Sequence, residues 1–117
     1  ILINKSYFRR DTMSELPKQY QKFINDYPQA AKAYEALGAA VHSSGPIDKK
    51  TRILIKLAIS AGAGLEGAVH SHTRKAQEAG LSKDEIKQTI LLAIPTIGFP
   101  ASMAAMSWVE DITDPKV

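Results

Sequence analysis

Apolar positions recur at spacings of three and four along most of this chain, the period of helices with one side turned inward. Residues 1–12 are polar and aperiodic and read as an arm. A first helix is expected from near Ser14 through Tyr20, Phe23 and Ile24. It should stop at Asp26–Tyr27, because Pro28 disfavours helical backbone in the residue before it. Pro28 itself suits the first turn of a second helix, which carries Ala30, Ala33, Tyr34, Leu37 and Val41 and ends at Ser43-Ser44-Gly45-Pro46. Asp48 is placed to cap a third helix with Leu54, Leu57, Ala58 and Ala61 on one side, and Gly62-Ala63-Gly64 breaks it. A fourth helix fits residues 65–79, with Gly80 just past its end. Ser82 followed three residues on by Glu85 is a capping box. It opens a fifth helix with Ile86, Ile90, Ile94 and Ile97, in which Pro95 should displace the carbonyl of Leu91 and produce a kink. Pro100 opens a sixth helix that runs to about Ile112. Six helical patterns without the alternation of hairpin strands predict an all-α bundle, with residues 13–113 as one domain and 114–117 as a tail.

Composition narrows the chemistry. A length of 117 residues with 44% apolar content suits one domain with a buried core. The absence of cysteine excludes disulfides, thiolate metal sites and thiol catalysis. A net charge of +3 is too small and too dispersed to argue for nucleic acid as a partner. Residues 88–109 carry no charge and are long enough to span a bilayer, but Pro95, Gly98 and Pro100 interrupt them, so two buried helices are expected and no membrane partner. Residues 1–10 lack the basic start and long apolar run of a signal peptide, which gives a cytoplasmic location as the expectation.

Three constellations could carry chemistry. Gly62-x-Gly64-x-x-Gly67 has the spacing of a dinucleotide fingerprint, but Lys56 interrupts the strand that would precede it and Glu66 would face the pyrophosphate. Glu66 and His70 share one face of the fourth helix, whereas His70 and His72 point about 200° apart. Glu66 with His70 offers only two metal ligands, so no metal site is expected and Glu66, His70 and Arg74 read as a solvated face. His72 instead has Leu65, Ala68, Val69, Ala76 and Ala79 around it at helical spacing, which turns its imidazole toward the core or a pocket. Lys49, Arg52 and Lys56 align on one face of the third helix, as a solvated face or an anion-binding one.

From Asp48 to Trp108 the chain resembles the carboxymuconolactone decarboxylase family, which includes the alkylhydroperoxidase D-like proteins. The resemblance rests on Lys50-Thr51-Arg52, the Ala63-Gly64 break, and the run from Leu65 through His72 and Gly80 to Ile86. It implies a six-helix alkylhydroperoxidase D-like fold assembled as a homotrimer or homohexamer. In the family's peroxidase branch a cysteine pair ends four residues before the histidine, where this chain has Leu65 and Ala68, and a relay glutamate falls near Ile53. Thiol peroxidase chemistry is therefore disfavoured. The decarboxylase branch implies cofactor-free acid/base chemistry, of lyase or isomerase type, on a small anionic molecule. Under that resemblance His72 becomes the candidate acid/base, Glu66 its candidate partner, and Arg52, Arg74 and His70 candidate substrate-binding residues. A non-catalytic scaffold or ligand-binding oligomer is the alternative.

Overall fold

A computed structural model describes residues 16–116, so the arm and the expected helix start at Ser14 lie outside the described residues. The chain divides into two compact units, Ile1–Pro46 and Ile47–Val117. The described residues hold only helices: α1 (Lys18–Asp26), α2 (Pro28–His42), α3 (Lys49–Gly62), α4 (Glu66–Glu78), α5 (Lys83–Leu91), the one-turn α6 (Ile94–Ile97) and α7 (Phe99–Thr113).

In the first unit α1 and α2 pack on each other. Tyr27 separates them in a non-helical conformation, as the following proline requires, and Pro28 occupies the first turn of α2. The helix forms where its three-and-four spacing places it, but Ala30, Ala33, Tyr34, Leu37 and Val41 form its exposed side. The buried side carries Ala31 and Glu35 instead.

In the second unit Leu57 from α3, Val69 and Ala76 from α4, Ile86 and Ile90 from α5, and Ala105 and Val109 from α7 are fully buried in one cluster. Each such Leu, Ile or Val contributes about 1.5–3 kcal/mol relative to an exposed side chain. Two buried hydroxyls are satisfied within their own helices: Thr73 donates to the Val69 carbonyl at 2.7 Å and Ser60 to the Lys56 carbonyl at 2.7 Å.

The helix ends are specified locally. The Asp48 carboxylate accepts the Thr51 N–H at 2.8 Å at the start of α3. At α5 the Ser82 hydroxyl accepts from the Glu85 N–H at 3.1 Å, and the Glu85 carboxylate accepts from the Ser82 N–H at 2.9 Å. The end of α4 is a Schellman turn: the Leu81 N–H donates to the Ala76 carbonyl and the Gly80 N–H to the Gln77 carbonyl, both at 3.0 Å, with Gly80 at φ +85°. Leu65, Gly64 and the Ser60 and Ala61 carbonyls repeat that turn at the end of α3, with Gly64 at φ +70°. The glycines of the apparent dinucleotide fingerprint thus serve a helix-to-helix connection, and the residues before them are α3 rather than a strand.

The expected fifth helix is divided. α5 stops at Leu91, helical turns resume at Ile94, and the break falls at the carbonyl that the Pro95 ring would have met. Gly98, at φ +94°, then turns the chain into α7. No described helix is long and apolar enough to cross a membrane. The acidic end of α7 opposes its own dipole, and two lysines of α5 offset this: Asp114 pairs with Lys83 at 2.8 Å and with Lys87 at 3.1 Å.

Candidate functional site

The candidate residues gather around α4, which packs against both α3 and α7. Its core side runs through Val69, Thr73 and Ala76. At about 100° per residue, His72 lies one step around the helix from Thr73, on the flank of the core line rather than in it. It is half-buried, as are Ala68 and Ala79 beside it, whereas Leu65 is exposed. The apolar surround expected for His72 is therefore partial, because Leu65 caps the helix as its non-helical N-terminal neighbour and turns outward.

Lys75 follows His72 by three residues and so lies on the same flank. It comes near Lys56 of α3, which in turn stands four residues after Arg52. Desolvation, and then the Lys56 charge, hold the Lys75 ammonium below its ordinary range. Desolvation, and then the Arg52 guanidinium, do the same to Lys56. Glu78 offsets part of the repulsion at Lys75. Arg52 also donates to the Ile47 carbonyl at 2.6 Å, which ties its guanidinium to the segment before α3. Cations brought this near one another give the flank a positive potential that favours an anion.

The opposite flank has the reverse character. The His70 Nε2 lies 2.9 Å from a carboxylate oxygen of Asp111 on α7. The Glu66 carboxylate joins them, with one ligand-capable atom from each of the three residues lying within 4.8 Å of the others. Arg74, four residues after His70, shares this flank by helical position and is half-buried. Of the residues expected to act together, Glu66 and His70 do meet. His72 is turned away from both, since six residues from Glu66 leave it about 120° around the helix.

Three residues were not singled out from sequence. Asp111 lies 41 positions from His70, and no local pattern signals the pairing. Lys75 was legible in principle, as the residue three after His72. Glu35, in the first unit, is a carboxylate only 2% exposed, four residues after buried Ala31 on the same side of α2.

Comparison with known proteins gives a consistent result. Residues 28–111 match the model of the carboxymuconolactone decarboxylase family. The chain is similar to a 4-carboxymuconolactone decarboxylase of Acinetobacter baylyi, 29% identical over 87% of this chain and 69% of that protein. It is also similar to an uncharacterised protein of Haemophilus influenzae, 33% identical over 57% of this chain, and the match spans 59% of that protein's length. Its fold is similar to the crystal structure of an apo carboxymuconolactone decarboxylase family protein from Legionella pneumophila, with TM-score 0.74 and 25% identity over 89% of this chain and 96% of that one.

Proposed function

Because the chain belongs to the carboxymuconolactone decarboxylase family, we propose that it performs acid/base chemistry of lyase or isomerase type on a small anionic molecule, with His72 as the proton carrier. The observation that carries this reading is the placement of half-buried His72 on the same flank of α4 as Lys75, which comes near Lys56 of α3, itself beside Arg52. The decarboxylase named among the relatives makes lactone decarboxylation the first reaction to test.

In that reaction the bond from ring carbon to carboxyl carbon breaks, carbon dioxide leaves, and the electron pair passes into the conjugated lactone. A proton must then reach carbon. An imidazolium at His72 can deliver it and be recharged from solvent, while the cations of Arg52, Lys56 and Lys75 hold the substrate carboxylate and the charge developing on the lactone oxygen. Glu66 and His70, on the other flank, take no part in this step. Without a cysteine the chain has no nucleophile for thiol peroxidase turnover.

The test follows 4-carboxymuconolactone by its ultraviolet absorbance with the unaltered chain and with His72→Gln. The expected outcome is turnover that falls by ~10²–10⁴ in the variant while its circular dichroism is unchanged. No turnover of this or any small lactone acid, together with a loss of thermal stability in His72→Gln, would favour a scaffold or ligand-binding oligomer.

The same reading includes self-association as a trimer or hexamer. Leu92 is 70% exposed and Phe99 62% exposed, Ile59 and Leu65 are also exposed, and the apolar stripe of α2 faces outward, more unpartnered apolar surface than a small monomer usually carries. Light scattering at micromolar concentration should return a multiple of the 12.8 kDa chain mass.

A further inference from the structure

We propose that Glu66, His70 and Asp111 form a binding site for a divalent first-row transition ion of the zinc or cobalt class, held between α4 and α7. Glu66 and His70 are four residues apart on one helix face, and by themselves would give two ligands. Asp111 of α7 supplies the third, and its carboxylate already lies 2.9 Å from the His70 Nε2. The three donor atoms fall within 4.8 Å of one another. A tetrahedral ion with bonds of about 2.0–2.2 Å holds its ligand atoms roughly 3.4 Å apart, so the set closes if the exposed Glu66 and Asp111 side chains rotate toward His70.

The donors also select the ion. Two carboxylates supply two negative charges to balance a divalent cation. A single imidazole favours zinc, cobalt, nickel or copper over magnesium and calcium, which prefer all-oxygen sites. The frame is set before the ion arrives, because α4 and α7 pack together through Val69, Ala76, Ala105 and Val109 beneath the cluster. His70 is the inner member, its side chain 23% exposed, and Asp111 at 57% leaves the outer side open to water. Three protein ligands with an open side match the pattern of sites that keep a solvent ligand. The site lies on the opposite flank of α4 from His72, so its occupancy is separable from the chemistry proposed there.

The test uses untagged protein treated with a chelator and then dialysed. Cobalt(II) is titrated while its visible absorption bands are recorded, and zinc(II) by calorimetry. One ion per chain is expected, with ligand-field bands that zinc displaces. His70→Ala and Asp111→Asn should each weaken binding by about tenfold or more and change the cobalt bands, and circular dichroism checks that both variants keep their helices. Glu66→Gln, at the exposed start of α4, leaves His70 and Asp111 in place and should likewise weaken binding. Absence of binding at millimolar ion would overturn the proposal. So would binding indifferent to His70→Ala, or magnesium competing equally with zinc, either of which would mark an unspecific acidic surface.

Discussion

The two flanks of α4 have opposite electrostatic surroundings although they share one helix and a common core line. On one, Lys75 shares the side of His72 and comes near Lys56 of α3, and the two lysines are driven below their ordinary range by desolvation and then by neighbouring positive charge. On the other, His70 meets two carboxylates, one from its own helix and one from α7. Two histidines two residues apart thus stand in opposite electrostatic surroundings, which is the basis of the different roles proposed for them. A helix that buries a narrow line of Val69, Thr73 and Ala76 can present each flank to a different neighbour, and the neighbour sets the charge.

The largest expected effect reaches both flanks at once. Leu57, fully buried on α3, belongs to the cluster that seats α4, and Leu57→Ala should cost about 2–5 kcal/mol in urea unfolding. Lactone turnover and cobalt binding should then fall together. If only one fell, the two flanks would not depend on the same core.

Lys75→Gln separates them. Removing one of these cations should raise KM for an anionic substrate by roughly tenfold, the value of about one charge-assisted hydrogen bond, and leave cobalt binding unchanged. The melting temperature should change little, because Lys75 is an exposed residue. A fall in melting temperature with unchanged KM would make Lys75 a structural residue and break the assignment of that flank.

A weaker effect comes with acid. Hydrogen bonds from Thr51 hold the Asp48 carboxyl below its ordinary value, those from Ser82 do so for Glu85, and Lys83 first and then Thr113 and Lys87 do so for Asp114. Each folded value is lowered, so each stabilising contribution is fully present above the ordinary carboxyl range near pH 4 and is lost as the pH falls toward the folded values. Urea midpoints measured from pH 7 to pH 2.5 should decline below about pH 4–5, and Ser82→Ala should reduce the part of that decline due to Glu85 while costing about 0.5–2 kcal/mol at neutral pH. Smallest of all, Asp111→Asn in the metal-free protein removes a half-exposed pairing with His70, and its stability should change by less than about 1 kcal/mol. A larger loss would mean that the pairing fastens α4 to α7 rather than waiting for an ion.

What could be read along the chain was whatever depends on neighbours in sequence. The caps at Asp48 and Ser82, the stop before Pro28, the disturbance at Pro95 (a kink expected, a break found) and the left-handed turn at Gly80 all arise within about five residues, so the helices and most of their ends followed from local chemistry. The family resemblance covered the same ground, and matched residues 28–111 include it. The side of a helix that is buried is a different matter. The stripe of Ala30, Tyr34, Leu37 and Val41 marked α2 as a helix, yet it is the side with Ala31 and Glu35 that is buried, since periodicity records that a helix has two faces and not which neighbour each one meets. His72 was legible as a residue near an apolar line, but the cation that comes near Lys75 on the same flank belongs to α3. Asp111 reaches His70 only because α7 returns against α4 after a long excursion in sequence. Local hydrogen bonds and proline geometry determine helices within a few residues, whereas the charge that surrounds a side chain is set by whichever helix packs against it, and that is decided when the core closes.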